Sequence, residues 1–159
     1  MGKKKKQEWS IGDLFIVPQK DDLSTIGQIL DLMIPTVVTC AFYDIRVTND
    51  NIPDEIHLGF DNLISCVSVT REQLDYFAWT VIKRNHPINI ERKYWANEQY
   101  RQSRWVGAEI YDAALVEDFL NAFYGLAPWD DWYDPNFLDE FLISMEKKPH
   151  NLIYTNTQR

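Results

Sequence analysis

Carboxylates are the side chains of this chain most able to do chemistry, and they crowd its last third. Asp130 and Asp131 are adjacent, and Asp134, Asp139 and Glu140 follow closely. Two carboxyls held at a suitable separation could share a proton or cleave a glycosidic bond. A simpler account has Asp134 capping a helix, with the others as solvated loop or first-turn charges that favour a helix N-terminus. Other chemistries find less support. His57, His86 and His150 are scattered, no two of them share i, i+4 spacing, and no Cys-x-x-Cys occurs, so no metal site is expected. No Gly-x-Ser-x-Gly elbow surrounds a serine, and Cys40 and Cys66 lie in strand-like runs with no histidine beside them. The six glycines do not cluster into a phosphate loop. No catalytic residue, metal or cofactor is assigned, and a binding protein is expected in place of an enzyme.

The charge pattern is more informative than any pair of residues. No Lys or Arg occurs between Arg104 and Lys147, while ten carboxylates do: Glu109, Asp112, Glu117, Asp118, Asp130, Asp131, Asp134, Asp139, Glu140 and Glu146. Trp129, Trp132 and Tyr133 lie in the same stretch. Acidic groups around exposed aromatics make a hot-spot surface for a basic protein. The contact residues expected on that basis are Asp130, Asp131, Asp134, Trp129, Trp132, Glu117 and Asp118. Alternatively the two tryptophans fold over the core as lids, the favoured account for them, and the carboxylates only keep the protein soluble.

The elements that must position these groups divide the chain. Asp13 to Val17, Thr25 to Met33, Thr36 to Val47 and Leu63 to Thr70 read as strands, with Gly27 as a bulge or close backbone approach. Arg71 to Tyr76 reads as a helical turn, and Ala78 to Ile82 and Trp105 to Tyr111 as two further strands. Ile88 to Ser103 shows no clear pattern. Asp112 is a good N-cap for an amphipathic helix over about Ala113 to Tyr124, and Gly125 stands at its C′ position. A second helix is expected to open at Asp134-Pro135 and to turn Phe137, Leu138, Phe141, Leu142 and Met145 inward. The expected fold is α+β: an antiparallel, strongly curved sheet, a small barrel or half-barrel, with two C-terminal helices packed on it.

Composition bounds the function. The 159 residues suit one domain, and 45% hydrophobic with 14% aromatic residues can build a core without a staple. Residues 1–8 read as a flexible basic tail and 9–159 as the domain. The net charge is −8; without Lys3 to Lys6, 12 bases face 24 acids, a body charge of −12. Such a body disfavours a nucleic-acid partner, which needs clustered cations, and suits a basic protein. No apolar run reaches the roughly 18 residues of a membrane helix, and Gln7-Glu8-Trp9-Ser10 after the lysines is no signal core. A cytosolic protein with free, buried thiols is expected, without membrane contact. Exposed aromatics would also suit a weak homodimer.

Several segments together resemble a known family. Ile11-Gly12-Asp13-Leu14-Phe15-Ile16-Val17-Pro18 after the lysines, then Gly27-Gln28-Ile29-Leu30, is similar to the opening of the immunity protein 26 family of bacterial polymorphic toxin systems. Ala41-Phe42-Tyr43-Asp44, Leu63-Ile64-Ser65, Gly125-Leu126-Ala127-Pro128-Trp129-Asp130 and Tyr133-Asp134-Pro135-Asn136-Phe137 follow in a compatible order, so the resemblance runs from about Ser10 to Leu142. Tyr76-Phe77-Ala78-Trp79 lacks the glycine expected just before such a tryptophan. The resemblance implies a cytosolic antidote that binds and blocks a cognate toxin domain without a cofactor, and it carries over no catalytic residues. An acidic inhibitor could cover a basic nuclease by mimicking phosphates. The competing accounts are a small hydrolase using the C-terminal carboxylates, and a nucleic-acid adaptor using the lysine tail with Arg71, Lys83, Arg84, Arg92 and Lys93.

Overall fold

Along the first strand, side chains alternate between two separate cores, and this alternation organises the whole molecule. The computed structural model describes residues 5–155. Strand β1 spans Leu14–Pro18, β2 Ser24–Ile34, β3 Val37–Val47 and β4 Leu63–Thr70. A single helical turn, α1 (Glu72–Asp75), leads to β5 (Thr80–Lys83); the two-residue β6 (Ile110–Tyr111) precedes α2 (Ala113–Phe123). The sheet runs in the order β5-β1-β2-β3-β4-β6, antiparallel except for the β4–β6 pair. It is a mixed α+β fold.

Phe15, Val17, Ile29, Val38, Cys40 and Phe42 point to one face, where α2 and residues from Trp129 to Phe141 cover them. Leu14, Ile16, Ile26, Leu30, Ala41 and Tyr43 point to the other, under Ile56, Leu58 and Ile90. A period of two residues puts neighbours on opposite faces. Because both faces are covered, these strands read as near-continuous apolar runs. Trp79 is fully buried in the first core, stacked on Phe15 at 5.4 Å and edge-on to Phe42 at 5.8 Å.

Several expectations are corrected. The sheet does not close into a barrel: β5 and β6 are separate edges, of four and two residues. The second C-terminal α-helix does not form. Asp134 Oδ1 accepts from Asn136 N at 2.9 Å, and the chain then makes only a 3-10 turn over Phe137–Phe141. Leu142 is extended, and Ile143 N donates to Ile64 O at 2.8 Å on the outer edge of β4, a bond that a continuing helix would forfeit. Met145, expected inward, is therefore 58% exposed. The strand expected from Trp105 survives only as Ile110–Tyr111, because Arg104, Trp105 and Gly107 all have positive φ and fold the backbone into turns.

The ordered body also begins before Trp9. Gln7 is buried, its Nε2 donating to Leu74 O and Trp79 O and its Oε1 accepting from Val81 N. Lys3 and Lys4 lie outside the described residues. Where a glycine was expected before Trp79, Phe77 takes φ +67. Among the described residues no helix is long and apolar enough to cross a membrane.

Candidate protein-binding face

The face that holds Asp118, Asp131 and Asp134 is built by α2 and the loop after it. Asp112 caps α2, its Oδ1 accepting from Ala114 N at 3.3 Å. Val116, Phe119, Leu120 and Phe123 turn into the core. Leu115 and Asp118, three residues apart, share the outer side of the helix. Gly125, at φ +73, ends the helix in the left-handed conformation that glycine adopts without a steric penalty, and Leu126 N returns to Asn121 O at 2.8 Å.

Trp129 then nails the loop to the core. It is 1% exposed, lies 5.7 Å from the Phe119 ring, and donates its indole N–H to Asp139 Oδ1 at 2.8 Å. Trp129 is thus a core residue and cannot be a surface contact, because its ring is sealed beneath the loop. Asp130 faces the end of the described chain. Its carboxylate accepts from Thr155 N at 2.7 Å and from Thr155 Oγ1 at 3.1 Å, bonds that hold it below the ordinary carboxylate range. Glu117 is also committed internally, accepting from Trp79 Nε1 at 3.0 Å and Gln73 Nε2 at 3.1 Å.

The remaining expected residues do converge. Trp132 is half-buried with its ring 5.1 Å from Phe137, and Tyr133 beside it is fully exposed. Trp132 separates two recesses. One is an apolar slot of about 320 Å³, lined by Leu115, Trp132, Tyr133, Asp134 and Phe137. The other is a polar cleft of about 270 Å³ that brings Asp118 and Asp131 together with Lys20, Ala127, Pro128 and Trp132. Asp118 and Asp131 make no ion pair among the described residues; the flanking Lys148 is already paired with Asp139 at 2.9 Å. Spacing along the chain did not reveal Lys20, Leu115 or Phe137 as part of this face. Leu115 could have been found, since it lies three residues before Asp118 on the same helix side.

The cations that the competing nucleic-acid account draws from the body of the protein are engaged internally. Arg71 pairs with Asp75 at 3.0 Å, Arg84 with Asp13 at 3.0 Å, Arg92 with Glu98 at 3.2 Å and Lys93 with Glu91 at 3.6 Å, while Lys83 donates to the Asp54 carbonyl. Each of the four ion pairs offsets charge that phosphate binding would use, whereas the neutral Asp54 carbonyl leaves the Lys83 charge in place. Asp130 and Asp131, the adjacent carboxylates, face different neighbours: Asp130 meets Thr155, and Asp131 lines the cleft without Asp130. No protein-family model, curated protein or solved structure matches this chain, so its function has to be read from its own residues.

Proposed function

We propose that this is a cytosolic immunity protein that binds and neutralises a cognate polymorphic toxin domain by protein–protein contact, without a cofactor. The observation that carries this is the grouping of a fully exposed Tyr133 and a half-exposed Trp132 with Asp118, Asp131 and Asp134, which make no ion pair among the described residues. Aromatics in such a setting supply binding energy, and the acids steer a basic partner toward them. A nuclease is the toxin class that suits the charge best, since its surface is built to receive phosphates. The sheet, on this view, is strongly curved into a half-barrel; the register shifts between β2 and β3 support it, because bulges bend strands. The hydrolase alternative is weakened by the commitment of Asp130 to Thr155, and the adaptor alternative by the ion pairs of Arg71, Arg84, Arg92 and Lys93.

The test is growth of a host expressing the neighbouring toxin gene, with and without this protein. Rescue with a co-purifying complex is expected. Changing Asp118, Asp131 and Asp134 together to Asn should then weaken the complex at least tenfold at low salt, and less at high salt, where such attraction is screened. Failure to rescue with both proteins expressed would remove the antidote function.

A further inference from the structure

Four of the six tryptophans spend the indole N–H inside the fold: Trp9 on Asp75, Trp79 on Glu117, Trp95 on the Ile90 carbonyl and Trp129 on Asp139. These are structural residues with their polar atom satisfied. Trp132 is different. Its N–H donates to nothing among the described residues, its ring is half-exposed, and it forms a wall of both recesses.

The apolar slot beside it is anchored from below. Phe137 packs edge-on against Phe141 at 5.5 Å, and Phe141 stacks on Phe119 at 5.2 Å within the core. The slot floor is therefore part of the packed interior, and its occupant would meet a preformed surface. At about 320 Å³ the slot lies at the bottom of the ~300–1,000 Å³ range of ligand pockets, which suits one large side chain better than a cofactor. Its rim is acidic on one side only by way of Asp134. Oδ1 of that residue is taken by Asn136 N, and Oδ2 has no partner among the described residues. Across Trp132, Asp118 and Asp131 face Lys20, leaving the cleft one negative charge in excess.

We infer that the Leu115–Trp132–Phe137 slot seats one aromatic or large aliphatic side chain of a basic partner, with flanking Lys or Arg residues of that partner reaching Asp134 and the Asp118/Asp131 cleft. The inference rests on the proposed role as a binder of a basic protein, and it names the anchor. The occupant is set by charge complementarity: the slot selects an apolar residue, and the net negative charge around it, from Asp134 and the one excess carboxylate of the cleft, selects basic neighbours. The open indole N–H of Trp132 donates to a backbone carbonyl of the same segment.

The probes are an acetylated, amidated Lys-Arg-Phe-Arg-Lys peptide, its Lys-Arg-Ala-Arg-Lys counterpart and a Glu-Glu-Phe-Glu-Glu control. Each is titrated into the full chain while the Trp132 indole NMR signal is followed, identified as the one lost in Trp132→Phe. The phenylalanine peptide should move that signal saturably. Affinity should fall roughly tenfold or more with the alanine peptide, and likewise with Leu115→Asp. Tyr133→Ala gives the same reading without risk to folding, since Tyr133 is fully exposed. Equal binding of the alanine peptide overturns the slot and leaves only charge. Equal binding of the glutamate peptide overturns the basic partner. A concentration-dependent dimer abolished by Tyr133→Ala would make a second copy of this chain the occupant and overturn the proposal. Rescue from the toxin that survives Tyr133→Ala and Leu115→Asp overturns the slot while the antidote function stands; peptide binding without any rescue by the wild-type chain does the reverse.

Discussion

Trp79 Nε1 donates to Glu117 Oε2 at 3.0 Å, joining α2 to the centre of the first core across 38 positions of sequence. Glu117 lies beside Asp118 in the chain, yet Glu117 is bonded inward while Asp118 is exposed. Removing Glu117 leaves the N–H of a fully buried tryptophan without an acceptor, which costs about 1–3 kcal/mol. Glu117→Ala should lower the urea midpoint accordingly, while Glu117→Gln, which keeps an acceptor oxygen, should lose much less. Neither change should alter partner affinity in the folded protein, whereas Asp118→Asn should.

Gly27 lies directly beneath Phe15, its cross-strand partner in the β1–β2 pair. A Cβ added there would sit 2.5 Å from Phe15 Cζ, and Phe15 cannot retreat because it is stacked on Trp79. Gly27→Ala should therefore destabilise by about 1–3 kcal/mol or more, as overpacked cores do. Pairing it with Phe15→Leu should restore part of the loss in the same urea titration.

Burial raises the Asp75 carboxyl, but hydrogen bonds from Arg71 and from Trp9 Nε1 outweigh it and leave the group below its ordinary range. A carboxylate lowered in the folded state adds stability at pH values above its unfolded value of roughly 4, and that stability is lost as pH falls through the folded value. Urea midpoints measured from neutral pH down to about pH 3 should fall steeply at the acid end. Asp75→Asn should be less stable than wild type at neutral pH and should show a shallower acid decline.

Cys40 and Cys66 lie on adjacent strands but face different cores, Cys40 the first and Cys66 the second. Side chains on opposite faces of a sheet cannot meet, so no disulfide joins them. Burial pushes the Cys66 thiol up to about 12, and the Cys40 thiol well above its ordinary value. Thiol reagents near pH 8 should leave both untouched in the native protein and label both in denaturant, in oxidised and reduced samples alike.

Local pattern alone determined the parts of this protein that local physics controls. The four long strands follow from β-branched and aromatic runs, and α2 follows from its apolar stripe, the Asp112 cap and Gly125. The acidic stretch between Arg104 and Lys147, which holds no Lys or Arg, was equally legible, since charge is a property of composition. What the tertiary structure decided is the use of each charge. Glu117 and Asp130 read as surface acids beside Asp118 and Asp131, and the lid account favoured for both tryptophans holds fully only for Trp129; partners distant in sequence (Trp79, Thr155 and Asp139) separate the two sets. The loss of the second helix has the same origin, because the open edge of β4 draws Ile143 into an extended bond. The second core was hidden as well: Ile56, Leu58 and Ile90 lie in segments without periodicity, and they are buried because the sheet presents an apolar face there that must be covered. Sequence spacing reports a residue's neighbours within a few positions, whereas burial and hydrogen-bond partners are set by segments that meet only when the chain has folded.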